Sequence, residues 1–172
     1  MKTLTIFLVL TGLTTGLMSQ TGNIPDEALI TTDGVTVMSK KVFQSTTPVI
    51  LVFWEMNSNK CRNNLDNMQA FWQETLQEEG VKMIAVCIGT NSSWGQVKPM
   101  ANGRNWEFEI YIDPNGNFKR AMNINRAPCT LLFDQHHELL CRQEGYCSGD
   151  EDMLCNKLSR YIRDDVHYTE VK

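Results

Sequence analysis

Apolar and polar positions in this chain are grouped in blocks more than they alternate singly. Pro48-Val-Ile-Leu-Val-Phe-Trp54 is apolar throughout, which predicts a strand at Val49–Phe53 buried on both faces. Leu65, Met68, Trp72 and Leu76 then recur at three- to four-residue spacing, predicting an amphipathic helix that ends before Gly80. Val81–Ile88 reads as a second buried strand. Ser92–Asn105 predicts a helix interrupted at Pro99, because proline lacks the amide a helix interior uses. Glu109–Ile112, Thr130–Phe133 and Glu138–Arg142 supply further strands or turns, with a turn at Asp113-Pro-Asn-Gly116. Asp33-Gly34, between two short extended stretches, predicts a hairpin turn. A last helix is expected over 149–163, with Leu154, Leu158 and Ile162 on its inner face. This order of elements predicts an α/β sandwich with a mixed sheet.

Residues 1–19 follow another pattern. Lys2 precedes the apolar Ile6-Phe7-Leu8-Val9-Leu10 and then small residues up to Ser19, with no acid before Asp26. This predicts a secretory signal peptide cleaved near Ser19, and an exported protein, periplasmic or secreted. Membrane contact would then come only through the uncleaved segment. The folded unit is expected to be one domain over residues 22–168, and 172 residues with 42% hydrophobic content suit a single core. A formal charge of −4 argues against nucleic acid as a partner, since phosphate binding needs a basic face. Cysteines stand at 61, 87, 129, 141, 147 and 155. Ser148-Gly-Asp-Glu151 resembles a capping box, which would set Cys147 and Cys155 roughly 10–12 Å apart, too far for a disulfide. Cys141 with Cys155, strand to packed helix, is the better candidate.

Ser58-Asn-Lys-Cys61 carries the candidate chemistry. Ser58 suits a helix N-cap, where its hydroxyl accepts a backbone N–H. Cys61 extends the apolar stripe backwards, so its side chain points inward. The helix N-terminus favours the thiolate and burial disfavours it. Burial is expected to win, leaving a poor nucleophile. His136, His137 and His167 are distant in sequence, and the His136-His137 pair is expected to be solvated turn, not a catalytic or metal site. No metal site and no cofactor is expected. Cys87 reads as strand packing, and Trp94 and Trp106 as core or core rim.

Phe53-Trp54, the break at 58–61, Ala127-Pro128 before a strand and Asp134 after it resemble the thioredoxin superfamily, in particular exported redoxins of the TlpA/ResA kind. The resemblance runs from Ile24-Pro25 through the hairpin to the last helix. It implies a three-layer sandwich: a central mixed β-sheet, helices on both faces and an N-terminal hairpin. That family's active sequence has the form W-x-x-W-C-x-x-C. Trp54 matches its first tryptophan, Asn57 stands in place of the second, Ser58 replaces the attacking cysteine and Cys61 keeps the resolving one. Pro128 matches the proline that is cis in the family and faces the active site.

A serine hydroxyl without a nearby base cannot attack a disulfide, so ordinary dithiol exchange at 58 and 61 is excluded. Two functions remain. In the first, the redox site is lost and Trp54, Asn57, Ser58 and Pro128 form a proline-loop groove that binds a partner protein or extended peptide. In the second, the chain is an atypical thiol–disulfide oxidoreductase using Cys61, vestigial or resolving, with Cys129 as a displaced partner or with a partner protein's thiol. Peroxide reduction ranks below both, because it also needs an exposed, activated thiolate.

Overall fold

The computed structural model describes residues 24–161 apart from Thr90, Glu151, Cys155 and Ser159. The continuous apolar runs become the central strands. β1 (Ala28–Thr31), β2 (Thr36–Met38), β3 (Val49–Glu55), β4 (Lys82–Ile88), β5 (Glu109–Ile112), β6 (Cys129–Phe133) and β7 (Leu139–Glu144) form one sheet in the order β2-β1-β5-β4-β3-β6-β7. β3, β4 and β5 are parallel, while β1, β2, β6 and β7 each pair antiparallel with a neighbour. The hairpin turn forms at Asp33-Gly34: Gly34 adopts φ +84, and Thr31 N–H donates to Val35 O at 2.8 Å.

Successive side chains on a strand point to opposite faces, and this divides the apolar residues into two cores. Ile50, Val52 and Trp54 of β3, with Met83, Ala85 and Cys87 of β4, face one side. There they meet α2 (Asn59–Phe71), α3 (Val97–Gly103) and the helical residues 152–154 and 156–158 near the end of the described chain, through Leu65, Met68, Val97, Leu154 and Leu158. Val49, Leu51 and Phe53, with Ile84 and Val86, face the other side. They pack against Val42 of α1 (Ser39–Val42), Phe43 just after it and Phe118 of α4 (Asn117–Ala121). The molecule is therefore a three-layer α/β sandwich, as expected. Each fully buried aliphatic or Phe side chain contributes roughly 1.5–3 kcal/mol, so the two cores carry the fold.

Three local readings are revised. The break expected at Pro99 lies earlier: a 3₁₀ turn over Asn91–Gln96 gives way to α3 at Val97. Pro99 then sits in the first helical turn, where its missing N–H has no intrahelical acceptor to lose. α1 and α4 are additional, each too short to show a periodic stripe. α2 widens into a π turn over Trp72–Leu76, with Gln77 N–H donating to Trp72 O at 2.8 Å. The signal segment, the Glu151 cap and the Cys141–Cys155 pairing lie outside the described residues. Cys141 itself is buried, and Lys157 Nζ donates to its Sγ at 3.2 Å.

Candidate functional site

The site lies where β3 hands the chain to α2. Ser58 N–H donates to Glu55 O at 3.2 Å, closing a tight turn. Ser58 then takes an extended backbone, and its Oγ accepts the Cys61 N–H at 3.2 Å. It is thus the N-cap of α2, satisfying one of the amides that a helix start leaves unpaired. The Arg62 guanidinium donates to Met56 O and Asn59 Oδ1, tying the turn to the helix.

Cys61 is fully enclosed, with 0% of its surface exposed. Burial pushes its thiol above the ordinary range; the Ser58 hydroxyl, the Glu55 backbone amide and the Arg62 charge pull back only part of the way. Cys87 is buried on the same face, and burial, with the charges of Cys61 and Glu55 adding to it, pushes its thiol up to about 12. Cys129 is also enclosed, its thiol pushed up to about 11 by burial. A thiol reacts as its thiolate, so all three are held in the unreactive form at neutral pH.

Trp54 is held by its neighbours. Trp106 packs edge-on against it, ring centroids 5.4 Å apart. Trp106 Nε1–H donates to Asp66 Oδ1 at 2.9 Å, Arg104 pairs with the same carboxylate, and its guanidinium lies 5.9 Å over the Trp106 ring. Trp54 Nε1 is buried without a hydrogen-bond partner among the described residues.

The proline loop closes the site from the β6 side. The Ala127–Pro128 bond is cis. Pro128 O accepts the Gly145 N–H at 2.7 Å, and a Cβ added at Gly145 would stand 3.9 Å from Lys60 Nζ. Lys60 of α2 thus reaches the strand end that anchors the proline loop.

These placements revise the expected site. Cys61 and Cys129 are not brought together: Cys129 is in register with Phe53 and points with it into the opposite core. Trp54, at 0% exposure, and Pro128 are buried and offer no surface to a partner. Of the four residues expected to bind, Asn57 is exposed and Ser58 half-buried. Cys87 and Lys60 belong to this corner and were not singled out as site residues. His136 is exposed, while His137 is half-buried in the β6–β7 turn at φ +61. Among the described residues no group of three or more His, Cys, Asp or Glu side chains is placed to hold a metal ion.

Similarity to known proteins agrees with this geometry. A solution structure of an uncharacterized thioredoxin-like protein from Porphyromonas gingivalis is 31% identical, with TM-score 0.73 over 83% of this chain and 94% of that one. A putative thiol:disulfide interchange protein DsbE from Chlorobium tepidum is 23% identical, with TM-score 0.65 over 80% and 93% of the two chains. A secreted disulfide oxidoreductase from Mycobacterium tuberculosis is 12% identical, with TM-score 0.64 over 78% and 96%, and shares the fold. No curated protein matches the chain. Residues 21–140 match the AhpC/TSA family. With its thioredoxin-like fold and residues 21–140 matched, the chain belongs to the AhpC/TSA family.

Proposed function

We propose that this protein is an exported redoxin of the TlpA/ResA-like branch that acts as a binding or assembly module, having kept the scaffold and lost the attacking thiol. One observation carries the reading: Cys61 is wholly enclosed, and the residue at the attacking position, Ser58, uses its hydroxyl as a helix cap. With thiolate chemistry suppressed, the accessible feature of the corner is the polar strip Asn57–Lys60, whose amides, hydroxyl and ammonium suit the main chain of an extended peptide or partner protein. Support for export comes from the signal-like residues 1–19 and from the likeness to a secreted oxidoreductase.

A disulfide-reduction assay tests it. The wild type is expected to show no turnover above the uncatalysed rate, and Ser58→Cys to gain turnover by restoring an attacking thiol at the helix start. Turnover in the wild type that is lost in Cys61→Ala would overturn the reading in favour of the oxidoreductase. That second reading draws on the Ser58 hydroxyl and Glu55 amide, which both favour ionisation at the Cys61 sulfur.

A further inference from the structure

Cys61 and Cys87 share one corner of one core. Cys61 lies in the first turn of α2, facing inward into the core that also holds Met56, Leu65 and Trp54. Cys87, one residue from the end of β4, is in register with Trp54 and points to the same face. The turn from Glu55 to Ser58 joins β3 to α2 at this corner, with Met56 buried in the same core and Ser58 capping Cys61. Both side chains thus face one core, at the end of β3 that Trp54 marks.

The remaining described cysteines are placed elsewhere. Cys129 is on the opposite face. Cys141 is in register with Leu132, which pairs with Ile50, four residues back along β3 from Trp54. At about 3.3 Å per residue that is roughly 13 Å away along the strand, beyond the reach of a disulfide. Cys147 is exposed outside the core.

We propose that Cys61 and Cys87, free thiols in this structure, close an intramolecular disulfide under oxidising conditions and are the chain's dithiol site in place of positions 58 and 61. The oxidant is a low-molecular-weight disulfide. Cys61 loses its proton and attacks one sulfur of the oxidant, whose S–S bond breaks to release one small thiolate and leave a mixed disulfide on Cys61. Cys87 then loses its proton and attacks the Cys61 sulfur, releasing the second small thiolate. The two protons end on the two small thiols, so one S–S bond is broken, one is formed, and the protein is oxidised by two electrons. Enclosure makes the reaction slow, because the turn over Met56–Lys60 must lift before the oxidant reaches Cys61. This site is independent of the binding reading: a failed disulfide leaves that reading intact, and disulfide-reductase turnover in the wild type would overturn the binding reading without touching this one.

The test is thiol mapping on the full-length wild type. The folded protein is equilibrated with oxidised and reduced glutathione, its remaining thiols are alkylated in denaturant, and the chain is digested and mapped by mass. The expected result is a loss of two hydrogens and a single cross-linked peptide pair joining Cys61 to Cys87, formed without denaturant and unaffected by Cys129→Ala. Full alkylation of both cysteines at equilibrium would overturn the proposal. So would linkage of Cys61 to Cys129, Cys141, Cys147 or Cys155, or a Cys61–Cys87 bond that appears only when the chain is unfolded first. Should a variant fail to fold, the wild-type map alone decides.

Discussion

Cys61 and Cys129 flank the same end of β3, yet they belong to different cores. Phe53 has Cys129 across from it on β6, and Trp54, the next residue, has Cys87 across from it on β4. One step along an extended strand reverses the face. A sheet with apolar side chains on both sides then keeps the two thiols apart, however near they stand in the plan of the fold. The Cys61 corner is also the one with polar trim: a serine cap, an arginine tying the turn and an exposed strip at Asn57–Lys60. Cys129 shares its core with Phe53, Phe118 and Leu131, and is in register with Glu144 on β7.

The largest effects come from emptying either core. Trp54→Ala and Phe53→Ala should each cost about 3–5 kcal/mol in denaturant unfolding, as expected for fully buried aromatics. They should differ in what they open: Trp54→Ala should speed alkylation of Cys61 and Cys87 and leave Cys129 closed, and Phe53→Ala should do the reverse. Equal opening of all three by either variant would break the two-core account.

Next in size is the response to pH. Burial raises Cys61, Cys87 and Cys129 above the ordinary thiol value of 9.0. Between that value and the raised ones the folded chain keeps protons that the unfolded chain releases. The stability from these thiols is therefore complete below pH 9, and declines as pH climbs through about 11 for Cys129 and about 12 for Cys87. Urea midpoints measured at rising pH should fall above pH 9, and Cys87→Ala and Cys129→Ala should each remove part of that fall.

The smallest effect is local. Ser58→Ala should cost about 1 kcal/mol as a lost N-cap and raise the Cys61 thiol further without altering Cys129, as followed by thiolate absorbance with pH.

Much of this was legible in the chain. The unbroken apolar runs at Val49–Phe53 and Val81–Ile88 mark the central strands, and the stripe through Leu65, Met68, Trp72 and Leu76 marks the long helix and the inward set of Cys61. Ser58 as N-cap followed from the residue type and its place before that helix. The face of each strand residue was not legible, for a physical reason. β3, β4 and β6 are buried on both sides, so no polar–apolar alternation records which way a side chain points. Trp54 therefore reads as groove lining and Cys129 as a neighbour of Cys61, while nothing in the pattern sets Cys87 on the same face as Cys61. α1 and α4 escaped because four- and five-residue helices complete too few turns to leave a pattern.

The central claim is that Cys61 is enclosed and its thiol raised by burial, so that in the native protein it reacts far more slowly than an exposed thiol. Its most direct test is the rate at which each cysteine of the native, reduced protein is alkylated, resolved by peptide mass. The account predicts that the exposed Cys147 reacts at the rate of a free thiol, while Cys61 is labelled many times more slowly and catches up only when the protein unfolds. Labelling of Cys61 at neutral pH as fast as Cys147, or faster, would contradict it.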